Sequence, residues 1–147
     1  VNEHCTGDEW TRWALLALGS VYGFEWQGDN LLLAREALLM TFIEYYTEKF
    51  GEKPQERSIK YIAYIIAWNI FQMDGLKGVV PDSCRHNEVI IEQTLFEAME
   101  RTVLCPGCQN ETYKGHNGIY CLIRDWGHKD PVTGENNRKI RFIDLIK

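Results

Sequence analysis

The residues best suited to chemistry are sulfurs. Cys105-Pro106-Gly107-Cys108 is a CxxC flanked by turn residues, Cys84 lies upstream, and Cys121 follows 13 residues after Cys108. His86, His116 and His128 are close by in sequence. Zinc takes four thiolate or imidazole ligands in a tetrahedron, and a CxxC at a tight turn supplies two of them. Cys84, Cys105, Cys108 and Cys121 are therefore the candidate zinc ligands. Reduced thiols, some of them packed in the core, are the other reading. A redox CxxC usually opens a helix after a strand, whereas the surroundings here read as a loop.

A second candidate is acidic. Glu25 ends the apolar run "VYGFE", and Asp74 follows the run "WNIFQM". In open α/β sheets, ligands bind at the carboxyl ends of strands. A carboxylate there can accept hydrogen bonds from both ribose hydroxyls of a nucleoside. Trp26 offers a flat apolar face to an adenine, and Asp74 can accept from an adenine amino group. Each acid alone also reads as an ordinary solvated strand end or Asp-Gly turn, so the pair is more informative than either member. Gly75-Leu76-Lys77-Gly78 lacks the spacing and the Lys-Ser/Thr end of a phosphate loop.

The elements that must position these residues follow from pattern. Asp8 is a candidate cap for a well-buried helix from Glu9 to about Leu18, ended by Gly19. Ser20 to Glu25 reads as a strand. Asp29 or Asn30 caps a second helix, with Leu32, Leu39, Ile43, Tyr46 and Phe50 on one side and Gly51 at its end. Glu56 to about Ile66 reads as a third helix and Trp68 to Met73 as a second strand. This order suggests an α/β layer with parallel pairing. Asn87 to Met99 is predicted as a fourth helix. Gly118 to Arg124 and Arg138 to Ile143 are predicted as strands around the turn-rich "HKDPVTGENN". A boundary is expected near Pro81, giving a compact α/β region over 1–80 and a turn-rich extension over 81–147.

The 147-residue chain is 45% hydrophobic and 25% charged, as expected of a folded domain with a sizeable core. Its formal net charge of −5 argues against general DNA binding by this chain alone. Arg138, Lys139, Arg141 and Lys147 are the candidate local basic patch, with a solvated strand face as the plainer reading. The apolar runs are too short to span a bilayer, and no cationic start precedes one, so neither membrane insertion nor a signal peptide is expected. Five cysteines without a disulfide-like pattern suggest a reducing, cytoplasmic setting.

The stretch "DEWTRWALLALGSVYGFEWQGDNLLLAREALL", followed by "IAWNIFQMDGL", resembles the middle of bacterial and phage adenine-specific DNA methyltransferases. These are the S-adenosylmethionine-dependent enzymes of restriction–modification systems. Their pattern is a "YGI(D/E)" strand end, then "DN" and a helix carrying Arg, then an "NI…GDAL" strand end. Tyr22-Gly23-Phe24-Glu25, Asp29-Asn30, Arg35 and the run from Asn69 to Leu76 match it. More loosely, "IRDWGHKDPVTGENNRKIRFIDLI" resembles the later "FSEW…KRRDF" region of one subgroup. The resemblance implies that Glu25 holds the cofactor ribose, that Trp26 flanks the adenine and that Asp74 binds its amino group.

The chain departs from that family in two places. It has no glycine-rich turn resembling "DPACGSG" before Glu25. It also has no "(N/D)PP(Y/F)" motif, because Pro54, Pro81, Pro106 and Pro131 are all isolated. The expected fold is thus α/β, a partial Rossmann-like methyltransferase fold lacking its first strand. Without that strand the "VYGFE" strand has an open edge, which tends to recruit another chain. The expectation is a methyltransferase-like fragment, inactive alone and without catalytic residues of its own. A homodimer or a second polypeptide would complete the sheet, and DNA would be reached only through a complete enzyme. The alternative is a phage or mobile-element interaction module that dimerises or binds a restriction–modification subunit without catalysis.

Overall fold

A computed structural model describes residues 5–93, 98–127 and 137–146, with the backbone alone at 87–93 and 98–101. The described residues form a mixed α/β structure with four α-helices and three two-stranded sheets. The chain divides into two units. The first comprises Val1–Gln72 and Ile123–Ile140, and the second Met73–Leu122 and Arg141–Lys147. The division falls a few residues before Pro81, and a later segment of the chain returns to the first unit.

In the first unit, helix α1 (Gly7–Gly19) is capped by Thr6 rather than by Asp8. Thr6 Oγ1 accepts from the Glu9 amide at 3.3 Å, and Glu9 Oε2 accepts from the Thr6 amide at 3.0 Å. This reciprocal box needs a hydroxyl three residues before a Glu, a spacing that Asp8 does not have. The helix is also less buried than its composition suggests, since Trp13 is 63% and Leu16 58% exposed. Strand β1 (Gly23–Glu25) is shorter than expected.

Helix α2 (Gly28–Phe50) begins at Gln27, so Asp29 and Asn30 lie inside its first turn rather than capping it. Asp29 there complements the positive end of the helix dipole. Gly51 ends the helix with φ 72°, a left-handed conformation that glycine takes without a Cβ clash. Leu31 faces inward instead of Leu32, which is exposed. Helix α3 (Glu56–Asn69) absorbs Trp68, and strand β2 (Ile70–Gln72) follows directly. As expected, β1 and β2 pair in parallel, with Gly23 opposite Ile70 and Glu25 opposite Gln72.

The core of this unit is Phe42, Ile62 and Ile66, with Trp10, Leu15, Leu18, Leu39 and Ile43 packed against it. Each fully buried side chain of this size contributes about 2 kcal/mol of transfer free energy. Trp10 meets Phe42 and Tyr46 with ring centroids 5.5 and 5.6 Å apart. Two residues of the family-like pattern hold this architecture together. Asn69 is buried, and its Nδ2 donates to the carbonyls of Leu18 and Val21 at 2.7 and 3.0 Å. Its Oδ1 accepts from Trp126 Nε1 at 2.6 Å. Arg35 donates to the carbonyls of Ala67 and Ile70 at 2.9 and 2.8 Å, satisfying groups at the end of α3.

In the second unit, Val79 bridges to both Asp74 and Tyr120, and the Val80 amide donates to the Ile119 carbonyl. The helix predicted over Asn87 to Met99 is not formed. Strands β3 (Asn87–Gln93) and β4 (Ala98–Val103) pair antiparallel there. The β-branched run Val89-Ile90-Ile91 favours extended backbone, and a short apolar run does not distinguish helix from strand by period. The short helix α4 (Pro106–Gln109) starts at the CxxC, with Pro106 in its first turn. Strands β5 (Leu122–Arg124) and β6 (Lys139–Arg141), most of whose residues belong to the first unit, form the third sheet within the two expected strands. Most of the "HKDPVTGENN" turn lies outside the described residues. No described helix is long and apolar enough to cross a membrane.

Candidate metal centre and strand-end acids

The fold brings Cys84, Cys105, Cys108 and His116 together, with one ligand atom from each lying within 4.8 Å of the others. This Cys3His cluster could hold a metal such as zinc. Three sequence-predicted ligands, Cys84, Cys105 and Cys108, are in it, and the fourth member is His116. Cys121 is not among the four. It is buried, and desolvation pushes its thiol up to about 11.

Local structure explains each position. Cys105 caps α4, its Sγ accepting from the Cys108 amide at 3.5 Å, so the CxxC turn aims both sulfurs the same way. The Gly107 amide donates to the Gly115 carbonyl at 3.0 Å, closing the loop that returns His116 to the turn. A Cβ on Gly107 would sit 2.6 Å from the His116 ring, so only glycine admits the ring here. Cys84 is held beside the loop by its neighbours. The Arg85 amide donates to Asn117 Oδ1 and the Arg85 carbonyl accepts from Asn117 Nδ2, each at 2.9 Å.

Nδ1 of His116 lies 3.5 Å from the sulfurs of Cys84 and Cys105 and 3.7 Å from that of Cys108. Its Nε2 is buried with no hydrogen bond among the described residues. The crowding splits the thiols. Burial, then hydrogen bonding and charge from Cys105 and Cys108, push Cys84 up. Burial also works to raise Cys105, but hydrogen bonds from the backbone of Asn117 and Cys108 and from the His116 ring outweigh it and bring that thiol down. A cavity of about 670 Å³ adjoins the cluster, with Lys77, His86, Leu104, Tyr113 and His116 in its wall.

The strand-end acids are placed as follows. Glu25 ends β1 in the first unit, half-buried, and its Oε1 accepts from the amides of Trp26 and Gln27 at 2.8 and 3.1 Å. Trp26 beside it is 45% exposed, and its carbonyl accepts from Gln72 Nε2 at 2.9 Å. Asp74 belongs to the second unit and is only 3% exposed. Its Oδ1 accepts from the Leu76 amide at 2.9 Å, and its Oδ2 pairs with Lys77 Nζ at 3.3 Å. Asp74 thus anchors its own turn. Of the basic residues near the end of the chain, Arg138 pairs with Asp125, Arg141 pairs with Asp144, and Lys139 lies over the Trp68 ring. Lys147 lies outside the described residues.

His116 was the functional residue that sequence spacing did not single out. Its signal was the Gly115-His116 pair eight residues after Cys108, within reach of a loop closing on the CxxC. No family model, curated protein or solved structure matches the chain.

Proposed function

We propose that the chain is the cofactor-binding middle of an adenine-specific DNA methyltransferase-like fold, inactive alone and completed by a partner chain. The observation that carries this reading is the parallel pairing of β1 and β2 through α2 and α3. It puts Glu25 at a strand's carboxyl end, the location where open α/β sheets take their ligands. The family-like order of Glu25, Arg35, Asn69 and Asp74 supports it.

Glu25 and Trp26 are the residues of the first unit that would meet a nucleoside. Glu25 is half-buried with Oε1 on the amides of Trp26 and Gln27, and its second oxygen would accept from a ribose hydroxyl. Trp26 presents ring surface next to it. S-adenosylmethionine, when bound, would supply the methyl group. This chain's part is to hold the ribose at Glu25 and to shelter the adenine against Trp26. The glycine-rich turn, the proline motif and the contact with DNA would lie outside these 147 residues.

Titration calorimetry with S-adenosylhomocysteine tests the reading. Binding that is lost in Glu25→Ala is the expected result, and absence of binding by the unsubstituted chain counts against it. A second reading is a homodimerising interaction module without catalysis. It is favoured by the apolar side chains that α2 leaves exposed, Leu32, Leu33, Met40 and Tyr45. A concentration-dependent dimer that ignores the cofactor would select it.

A further inference from the structure

We infer that Cys84, Cys105, Cys108 and Nδ1 of His116 bind one Zn²⁺ as a closed structural site that clamps the second unit. The distances carry the argument. Zn–S bonds of about 2.3 Å and Zn–N bonds of about 2.0 Å at the tetrahedral angle place sulfur and nitrogen about 3.5 Å apart. The three sulfur-to-Nδ1 distances are 3.5, 3.5 and 3.7 Å. Hydrogen bonding does not produce this arrangement. Nδ1 has a single proton or a single lone pair, so it can serve one thiol but not three at equal range. A cation at the centre satisfies all four atoms at once and removes the repulsion among neighbouring thiolates.

The donor set selects the ion. Three thiolates and one imidazole in a tetrahedron suit Zn²⁺, whereas Mg²⁺ and Ca²⁺ need oxygen donors. Four protein ligands leave no open position, which marks the site as structural despite the adjoining cavity.

The clamp has a defined reach. Cys84 and His116 are 32 residues apart, and β3 and β4 lie in the segment they close. Beyond the ligands, the His116 amide donates to the Tyr120 hydroxyl at 2.9 Å, and Tyr120 bridges to Val79, the partner of Asp74. The Tyr113 hydroxyl, from the same loop, donates to the Gly75 carbonyl. The ion therefore fixes the Asp74–Gly78 turn through two tyrosines.

The test is metal analysis of the full chain purified without chelator, followed by exchange with Co²⁺. The expected result is about one zinc per chain, and tetrahedral cobalt bands with thiolate charge transfer. Cys121→Ser keeps the metal and the spectrum, Cys108→Ser loses the metal, and His116→Cys keeps one ion with the bands of a four-thiolate site. Hydrogen exchange at the Leu76 and Gly78 amides speeds up when the ion is removed. Chain that takes up neither zinc nor cobalt under reducing conditions at neutral pH overturns the site. Loss of metal in Cys121→Ser with retention in His116→Ala overturns the ligand assignment. Unchanged exchange in the turn overturns the clamp.

Discussion

The two units solve the same problem by different means. The first has three helices around an apolar centre of Phe42, Ile62 and Ile66, with aromatic rings from α1 and α2 closing one end. Its buried polar residue, Asn69, spends both its donor and acceptor groups on neighbours. Among its described residues the second unit has short elements, buries Met73, Val79, Ile143, Cys105 and Cys121, and holds the cluster of Cys84, Cys105, Cys108 and His116. An ion held by Cys84 and His116, 32 residues apart, would tie together segments of the second unit, whereas the first unit joins its segments by helix packing.

The comparison can be broken most decisively by taking the metal away. Chelation, or Cys108→Ser, is expected to unfold the second unit, because metal affinity in small metal-stabilised units is largely folding free energy. Exchange mass spectrometry should show loss of protection in residues 74–122 with little change over α1 to α3. Uniform loss in both units would mean that they do not differ as described. In the first unit the matching lesion is Ile62→Ala, at a site with 0% exposure. It is expected to cost about 3–4 kcal/mol in denaturant unfolding while leaving the metal content unchanged.

Asn69→Leu comes next. It removes the Asn69 donor from the Leu18 and Val21 carbonyls and leaves the Trp126 indole N–H without its acceptor, at an expected cost of about 3 kcal/mol. Gly107→Ala probes the second unit at its CxxC turn. Its added methyl would lie 2.6 Å from the His116 ring and 2.7 Å from the His116 amide nitrogen, so the loop must shift, and at least about a tenfold loss of metal affinity is expected from competition with a chelating dye.

The pH dependence should also differ. The folded-state pKa of Cys121, raised by burial to about 11 from 9.0, favours the neutral thiol. Stability from this group is full below pH 9 and is lost as the pH rises through 11. Unfolding of the second unit followed between those values should show this loss, and Cys121→Ala should remove it. The smallest expected effect is Thr6→Ala, about 1 kcal/mol from the capping box of α1.

Much of the first unit was legible in the sequence because its signals are local. Gly51 had to follow a helix end, "GEKPQE" had to be a connection, and the apolar spacing of α2 and α3 gave their existence and approximate length. The errors were equally local. Thr6 took the cap that Asp8 was expected to supply, and Leu31 took the inward place of Leu32. In the second unit the segment 87–99 was misread, because its apolar run is short enough to serve either period. At the candidate metal centre the CxxC was legible as a pair, and the structure brings Cys84 beside it.

By itself the sequence determined the covalent repertoire: where helices could start and stop, which thiols sat on a turn, and that two acids ended two apolar runs. Only the tertiary structure decided that His116 joins the sulfurs. A loop closure over 32 residues depends on where β3, β4 and α4 place their ends, and no local propensity encodes that. It likewise decided that Cys121 is buried apart from the cluster and that Asp74 is turned inward onto its own loop. Proximity between residues distant in the chain is a property of packing, and packing is set by the sum of many weak contacts rather than by any one motif.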